Sequence, residues 1–126
     1  MRSDAFRRAA EAKDFSQADE LFAEDVVFRS PVVFKPYEGR EALGMLLGAV
    51  VQVFEDFRYS DQVEDGDTAV LMFEARAGDR ELQGVDILKF DAEGKIRELT
   101  VMVRPMSGMN ALADRMKAML EAAGAA

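Results

Sequence analysis

The 126 residues are 49% hydrophobic, enough for one domain to bury a core without disulfides or metals. Sixteen Lys and Arg against 24 Asp and Glu give a formal net charge of −8, which repels phosphate backbones and anionic headgroups, so neither nucleic acid nor a membrane is an expected partner. With no Cys and no His, disulfides, thiolate chemistry, the usual zinc sites and Ser-His or Cys-His pairs are excluded, leaving Asp, Glu, Tyr, Ser, Lys and Arg for any chemistry.

The first residues form a charged amphipathic segment, unlike a signal peptide, and the longest apolar stretch, 42–54, is too short to span a bilayer. The cytoplasm is the expected compartment. Phe6, Ala9 and Ala10 recur at i, i+3, i+4 and predict a short helix ending near Lys13. Ser16-Gln17-Ala18-Asp19 has capping-box spacing and predicts a second helix over 16–23. A strand over 25–29 should stop at Ser30-Pro31, because proline lacks the amide a ladder needs. After a loop over 32–37, Gly39-Arg40-Glu41 leads into a longer helix with Leu43, Leu46, Leu47, Val50 and Phe54 on one stripe.

Beyond Phe54 the period changes from helical to alternating. Phe57, Tyr59 and Val63 alternate with polar residues, Asp65-Gly66 signals a hairpin, and strands follow over 68–77, 81–90 and 95–104, separated by turns at Gly78-Asp79 and 91–94. Pro105 ends this meander. Ser107 is placed to cap a closing helix with Met109, Leu112, Met116, Met119 and Leu120 on one face and Gly124 beyond its end. No repeat, low-complexity tract or linker divides the chain, so 1–126 reads as one domain.

Two stretches carry a resemblance. Ala23-Glu24-Asp25-Val26-Val27-Phe28, followed by Ser30-Pro31-Val32, is similar to the entry into the first strand of the nuclear transport factor 2-like superfamily and to the acidic-Pro-Val turn of its isomerases. Val85-Asp86-Ile87-Leu88-Lys89-Phe90 and the turn through Gly94 to Ile96 resemble its fourth strand and the start of its fifth. The order of elements agrees with the SnoaL-like, ketosteroid-isomerase-like branch. The fold this implies is α+β, a cystatin-like cone in which helices pack on a strongly curved antiparallel sheet and enclose a pocket.

The chemistry of relatives does not carry over intact. The general-base carboxylate before the proline corresponds to Ser30, and the oxyanion-donating tyrosine of the first helix corresponds to Phe6; only the acid on the fourth strand has a counterpart, Asp86. A neutral serine cannot abstract a proton next to a carbonyl without another base beside it. The Asp-Arg-Asp arrangement of the superfamily's epoxide hydrolases has no clear match, with Asp86 and Arg76 the nearest ingredients. Where cyclase-like members carry an acid on the last strand, this chain reads Leu99-Thr100-Val101-Met102-Val103.

Asp86 is the one catalytic candidate. Strand alternation puts it with Gly84, Leu88 and Phe90, opposite Val85, Ile87 and Lys89, and an acid among apolar neighbours must be paired, hydrated or protonated. Two readings stay open: a polar anchor in the pocket with a raised pKa, or a structural acid bonded to a neighbouring element. By the resemblance, Phe6, Phe22, Phe28, Leu46, Leu71, Phe73, Val101 and Val103 line the inside, as pocket wall or as plain core. Ser30, Tyr37 and Tyr59 offer hydroxyls that could orient a ligand. Arg76, Arg97 and Arg104 suit surface pairing, the methionines of the closing segment suit core, and Glu64-Asp65-Gly66-Asp67 suits a solvated turn, so neither metal nor cofactor is expected.

The leading functional expectation is binding of a small apolar molecule in the cone with Asp86 as main polar contact. An isomerase, polyketide-cyclase-like enzyme or hydrolase using Asp86 as acid or base is the first alternative, and needs a second donor within reach of Asp86, with Tyr59, Arg76 and Ser30 the ones to consider. A dimeric interaction module whose cone is filled by side chains is the second. Val70, Met72, Val85, Ile87 and Met102 alternate outward, so the outer sheet face is too apolar for water alone and a homodimer through it is expected.

Overall fold

The computed structural model describes residues 1–122. Its elements are α1 (Asp4–Glu11), α2 (Ala18–Leu21), β1 (Phe22–Arg29), β2 (Tyr37–Glu38), α3 (Arg40–Val53), β3 (Glu55–Asp65), β4 (Thr68–Ala77), β5 (Arg80–Phe90), β6 (Ile96–Arg104) and α4 (Met106–Ala122). The strands form one curved sheet in the order β2-β1-β6-β5-β4-β3. The chain therefore leaves β1 for the β2 edge, is carried by α3 to the opposite edge, and winds back through the meander until β6 meets β1. That return makes β1 and β6 parallel, the one departure from the antiparallel pairing expected.

Strict alternation separates the two faces of the sheet. On β4 the buried series is Ala69, Leu71, Phe73, Ala75 and Ala77, and on β5 it is Leu82, Gly84, Asp86, Leu88 and Phe90. Gly84 is required by close approach: a Cβ there would collide with the Phe73 ring and lie 2.8 Å from the Met102 carbonyl oxygen. Against this face pack Phe6 and Ala10 of α1 and Leu43, Leu46, Leu47, Val51 and Val53 of α3. Register shifts in β3 on either side of Arg58 and Tyr59 bend that strand.

Four local expectations are corrected. The second helix keeps only four residues, because Phe22 is wholly buried opposite Ile96 and opens β1 three residues early. Long-range pairing outweighs a helix too short to hold itself. Ser16 caps nothing; its amide instead donates to the Asp14 carboxylate at 3.0 Å. Tyr37 and Glu38 pair with Phe28 and Val27 as a short edge strand where a loop was expected up to Tyr37. Ser107 lies within the first turn of α4, which starts at Met106 directly after Pro105. The expected stop at Gly124 and the side chain of Leu120 lie outside the described residues. Among the described residues no helix is long and apolar enough to cross a membrane.

Candidate functional site

Between the helices and the inner sheet face lies a cavity of about 550 Å³. Its floor is the sheet, with Phe57 and Tyr59 from β3, Phe73 from β4, Asp86 from β5 and Val101 from β6. Phe6, Ala10 and Phe15 close one side, and Leu46, Leu47, Val50, Val51 and Phe54 of α3 close another. Phe28, Ser30, Pro31, Val32 and Tyr37 continue the wall to the mouth, where Leu112, Ala113 and Met116 of α4 face them beside the charged Asp114, Lys117 and Glu121.

The floor holds one polar pair. The Tyr59 hydroxyl donates to Asp86 Oδ2 at 2.8 Å, reaching across β4, with the two residues only 9% and 6% exposed. The Tyr59 ring is fixed edge-on against Phe57 at 4.9 Å, and the Arg7 guanidinium lies 5.5 Å from its centroid. Among the described residues, Asp86 makes no other side-chain hydrogen bond, yet no fully buried side-chain oxygen lacks a partner. Its second carboxylate oxygen therefore opens to the cavity.

Burial raises the Asp86 pKa to about 7, against the opposing pull of the Tyr59 hydrogen bond. Tyr59 is held neutral, its pKa pushed far above the ordinary phenol value by burial first, then by the charge of Asp86 and the hydrogen bond to it. A carboxyl poised near neutrality beside a neutral hydroxyl can donate to a carbonyl oxygen when protonated, accept from a hydroxyl when ionised, and move a proton between the two states.

Of the residues expected to line the pocket, Phe6, Phe28, Ser30, Leu46, Tyr59, Phe73, Asp86 and Val101 do, and Tyr37 joins them at the rim, stacked on Phe28 at 6.1 Å. Leu71 and Val103 do not. Leu71 has no exposed surface left for a ligand to touch, as is also true of Phe22, and Val103, opposite Gly84, packs on the core outside the lining. Of the three groups considered as partners for Asp86, Tyr59 is the one that reaches it. Arg76 is held by Glu55, Asp56 and the Gly78 carbonyl, while Arg97 pairs with Asp67 and Arg104 with Gln83. Of Glu64-Asp65-Gly66-Asp67, expected as a turn, Glu64 and Asp65 are the last residues of β3, paired with Ala69 and Thr68, and only Gly66-Asp67 turns into β4; among the described residues no cluster of acids is gathered for a metal. The contributions of Phe15, Phe57 and the charged positions of α4 were not read from sequence; the first two look like ordinary core, and the last carry no apolar signal.

The SnoaL-like domain profile matches residues 4–99. None of the curated proteins compared matches the chain. Among solved structures, a Pseudomonas aeruginosa protein described as a steroid delta-isomerase is 42% identical with a TM-score of 0.94, the match covering 99% of this chain and 93% of that one. An uncharacterised bacterial protein with a cystatin-like fold from Silicibacter pomeroyi is 34% identical at a TM-score of 0.85, covering 89% of this chain and 79% of that one. An NTF2-like protein from Mesorhizobium loti, 22% identical over 82% of this chain and 88% of its own with a TM-score of 0.74, shares the fold. With most of its length inside the family profile and two relatives above 30% identity, the chain belongs to the SnoaL-like family and has its NTF2-like, cystatin-like fold.

Proposed function

We propose that the protein binds a small, largely apolar molecule inside the cone and holds one oxygen of that molecule against Asp86 and Tyr59. The observation that carries this reading is a deep, largely apolar cavity whose floor carries that one polar pair, with the charged positions confined to the α4 side of the mouth. The volume of about 550 Å³ falls within the roughly 300–1,000 Å³ of small-molecule sites and argues against a cone filled by its own side chains. The chain has no Trp, so a fluorescent aromatic probe is read without indole background. Wild type should bind 2-naphthol about tenfold more tightly than naphthalene, the scale of one good hydrogen bond in a dry site. Asp86→Leu should erase that preference and keep naphthalene. Absence of saturable binding for both probes would end the proposal.

A second reading is favoured by the Tyr59–Asp86 contact together with the 42% identity to a protein described as a steroid delta-isomerase. Here the Tyr59 hydroxyl turns from Asp86 to donate to the carbonyl oxygen, while Asp86 takes a proton from the carbon beside that carbonyl and returns it to another carbon of the same molecule. A Δ5-3-ketosteroid incubated with the protein would develop the ultraviolet absorbance of the conjugated ketone, and Asp86→Asn would abolish it. Binding without conversion leaves the first reading standing alone.

The same reading includes a homodimer through the outer sheet face. Met72 pairs with Val85 and Val85 with Met102, an apolar row across three strands, and the two methionines are 44% and 56% exposed. Light scattering should give the dimer mass for wild type and the monomer mass for Met72→Lys. A wild-type monomer at micromolar concentration excludes it.

A further inference from the structure

We propose that α4 selects ligands by size, with Met116 as the adjustable part of the wall. This rests on the binding reading above and assigns the selectivity within that same cavity. The Tyr59–Asp86 pair of the floor comes from β3 and β5, inside the stretch that the SnoaL-like profile matches, whereas that match ends at residue 99, before α4 begins at Met106. The two parts of the cavity thus differ: the floor, apart from Val101, lies within the stretch that the family profile matches, and the α4 wall lies outside it.

How α4 is attached explains why its far half can adapt. Near its start, Gly108 sits so close to β5 that a Cβ would come within 2.8 Å of Leu82 Cβ and 2.9 Å of the Glu81 carbonyl oxygen. One turn later Leu112 is 2% exposed. Beyond Leu112 the inward residues are Met116 and Met119, both only partly buried. Among the described residues, no side-chain hydrogen bond or ion pair ties α4 to the rest of the chain. An unbranched thioether changes rotamer at little cost, so Met116 can yield to a longer ligand without breaking a polar contact. Asp86, by contrast, is held in place by Tyr59.

The test compares 2-naphthol with the larger 1-hydroxypyrene, both carrying one hydroxyl for the floor. Met116→Trp, followed by titration calorimetry because it introduces an indole, should weaken 1-hydroxypyrene relative to 2-naphthol by about tenfold or more, the scale of a few excluded methylenes. Met116→Ala should shift the ratio of the two affinities the other way. Met109→Ala, which changes the same helix at a partly buried position outside the lining, should leave the ratio unchanged. Retained 2-naphthol binding shows that a variant is folded. Wild-type ratios in both Met116 variants, or an equal ratio change in Met109→Ala, overturn the assignment while the binding reading survives. Wild type that takes up neither probe overturns both.

Discussion

Glu64 and Asp86 are acids on the same sheet with opposite electrostatic fates. Glu64 receives the Ser3 amide and the Ser3 hydroxyl, each at 2.7 Å, and the Arg2 amide at 3.3 Å; Gln62 completes the node by donating to Ser3 Oγ. Burial alone would raise its pKa, but these donors bring it below the ordinary value. Asp86 receives one donor, and burial prevails. A carboxylate supplied with three donors is part of the fold, here fastening the start of α1 to β3. One supplied with a single donor, and with its other oxygen open to a cavity, is available to something that enters.

The largest expected consequence is in stability against pH. The folded pKa of Asp86, about 7, lies above the ordinary aspartate value of 3.8, so its contribution to stability is complete below the lower value and is lost as pH rises through the upper one. Asp86→Asn keeps a carbonyl acceptor for Tyr59 and cannot ionise. In urea denaturation, wild type should lose about 2–3 kcal/mol relative to Asp86→Asn between pH 5 and pH 8. Parallel stability profiles would mean that water in the cavity solvates the carboxylate, and the contrast with Glu64 would fail.

Glu64 should show the reverse sign. Its lowered folded pKa means that its contribution is present above the unfolded value and lost as pH falls through the folded one. Glu64→Gln retains one acceptor oxygen but turns an amide toward the donors from Ser3. The expected cost is about 1 kcal/mol at pH 7, at the low end for charge-assisted bonds because the site is partly solvated, and little at pH 3. The same urea series measures it. Equal costs at both pH values would assign the node to shape instead of charge.

The two faces of the meander were legible because alternation in β4 and β5 is unbroken, and Asp86 was legible as an acid in the inward series. What escaped depends on long-range pairing. Phe22 reads locally as the end of a helix, and only Ile96, 74 residues away, makes it a strand. Leu71 and Phe73 share a face and a period, yet one is sealed in the core and the other lines the cavity, a difference of depth that periodicity does not encode. The partner of Asp86 was among the candidates, but its identity rests on where the register shifts of β3 aim Tyr59 across an intervening strand. The mouth of the cavity was least legible, because Asp114, Lys117 and Glu121 have the sequence of any solvated helix face.

The smallest expected effect isolates the bond itself. Tyr59→Phe removes only the hydroxyl, and the ring can keep its contacts with Phe57 and Phe73. Since the Tyr59 hydrogen bond is the one influence that lowers the Asp86 pKa, its loss should move that pKa above 7. At pH 5 Asp86 is protonated in both proteins, so the substitution should cost under about 1 kcal/mol; at pH 8 the ionised carboxylate has lost its donor and the cost should be larger. The direct readout is the carbon-13 shift of the Asp86 carboxyl during titration. Its midpoint should rise in Tyr59→Phe, because the donor favours the ionised form. A midpoint that stays in place or falls would show that Tyr59 does not supply that donor in solution, and Asp86 would then face the cavity without a partner.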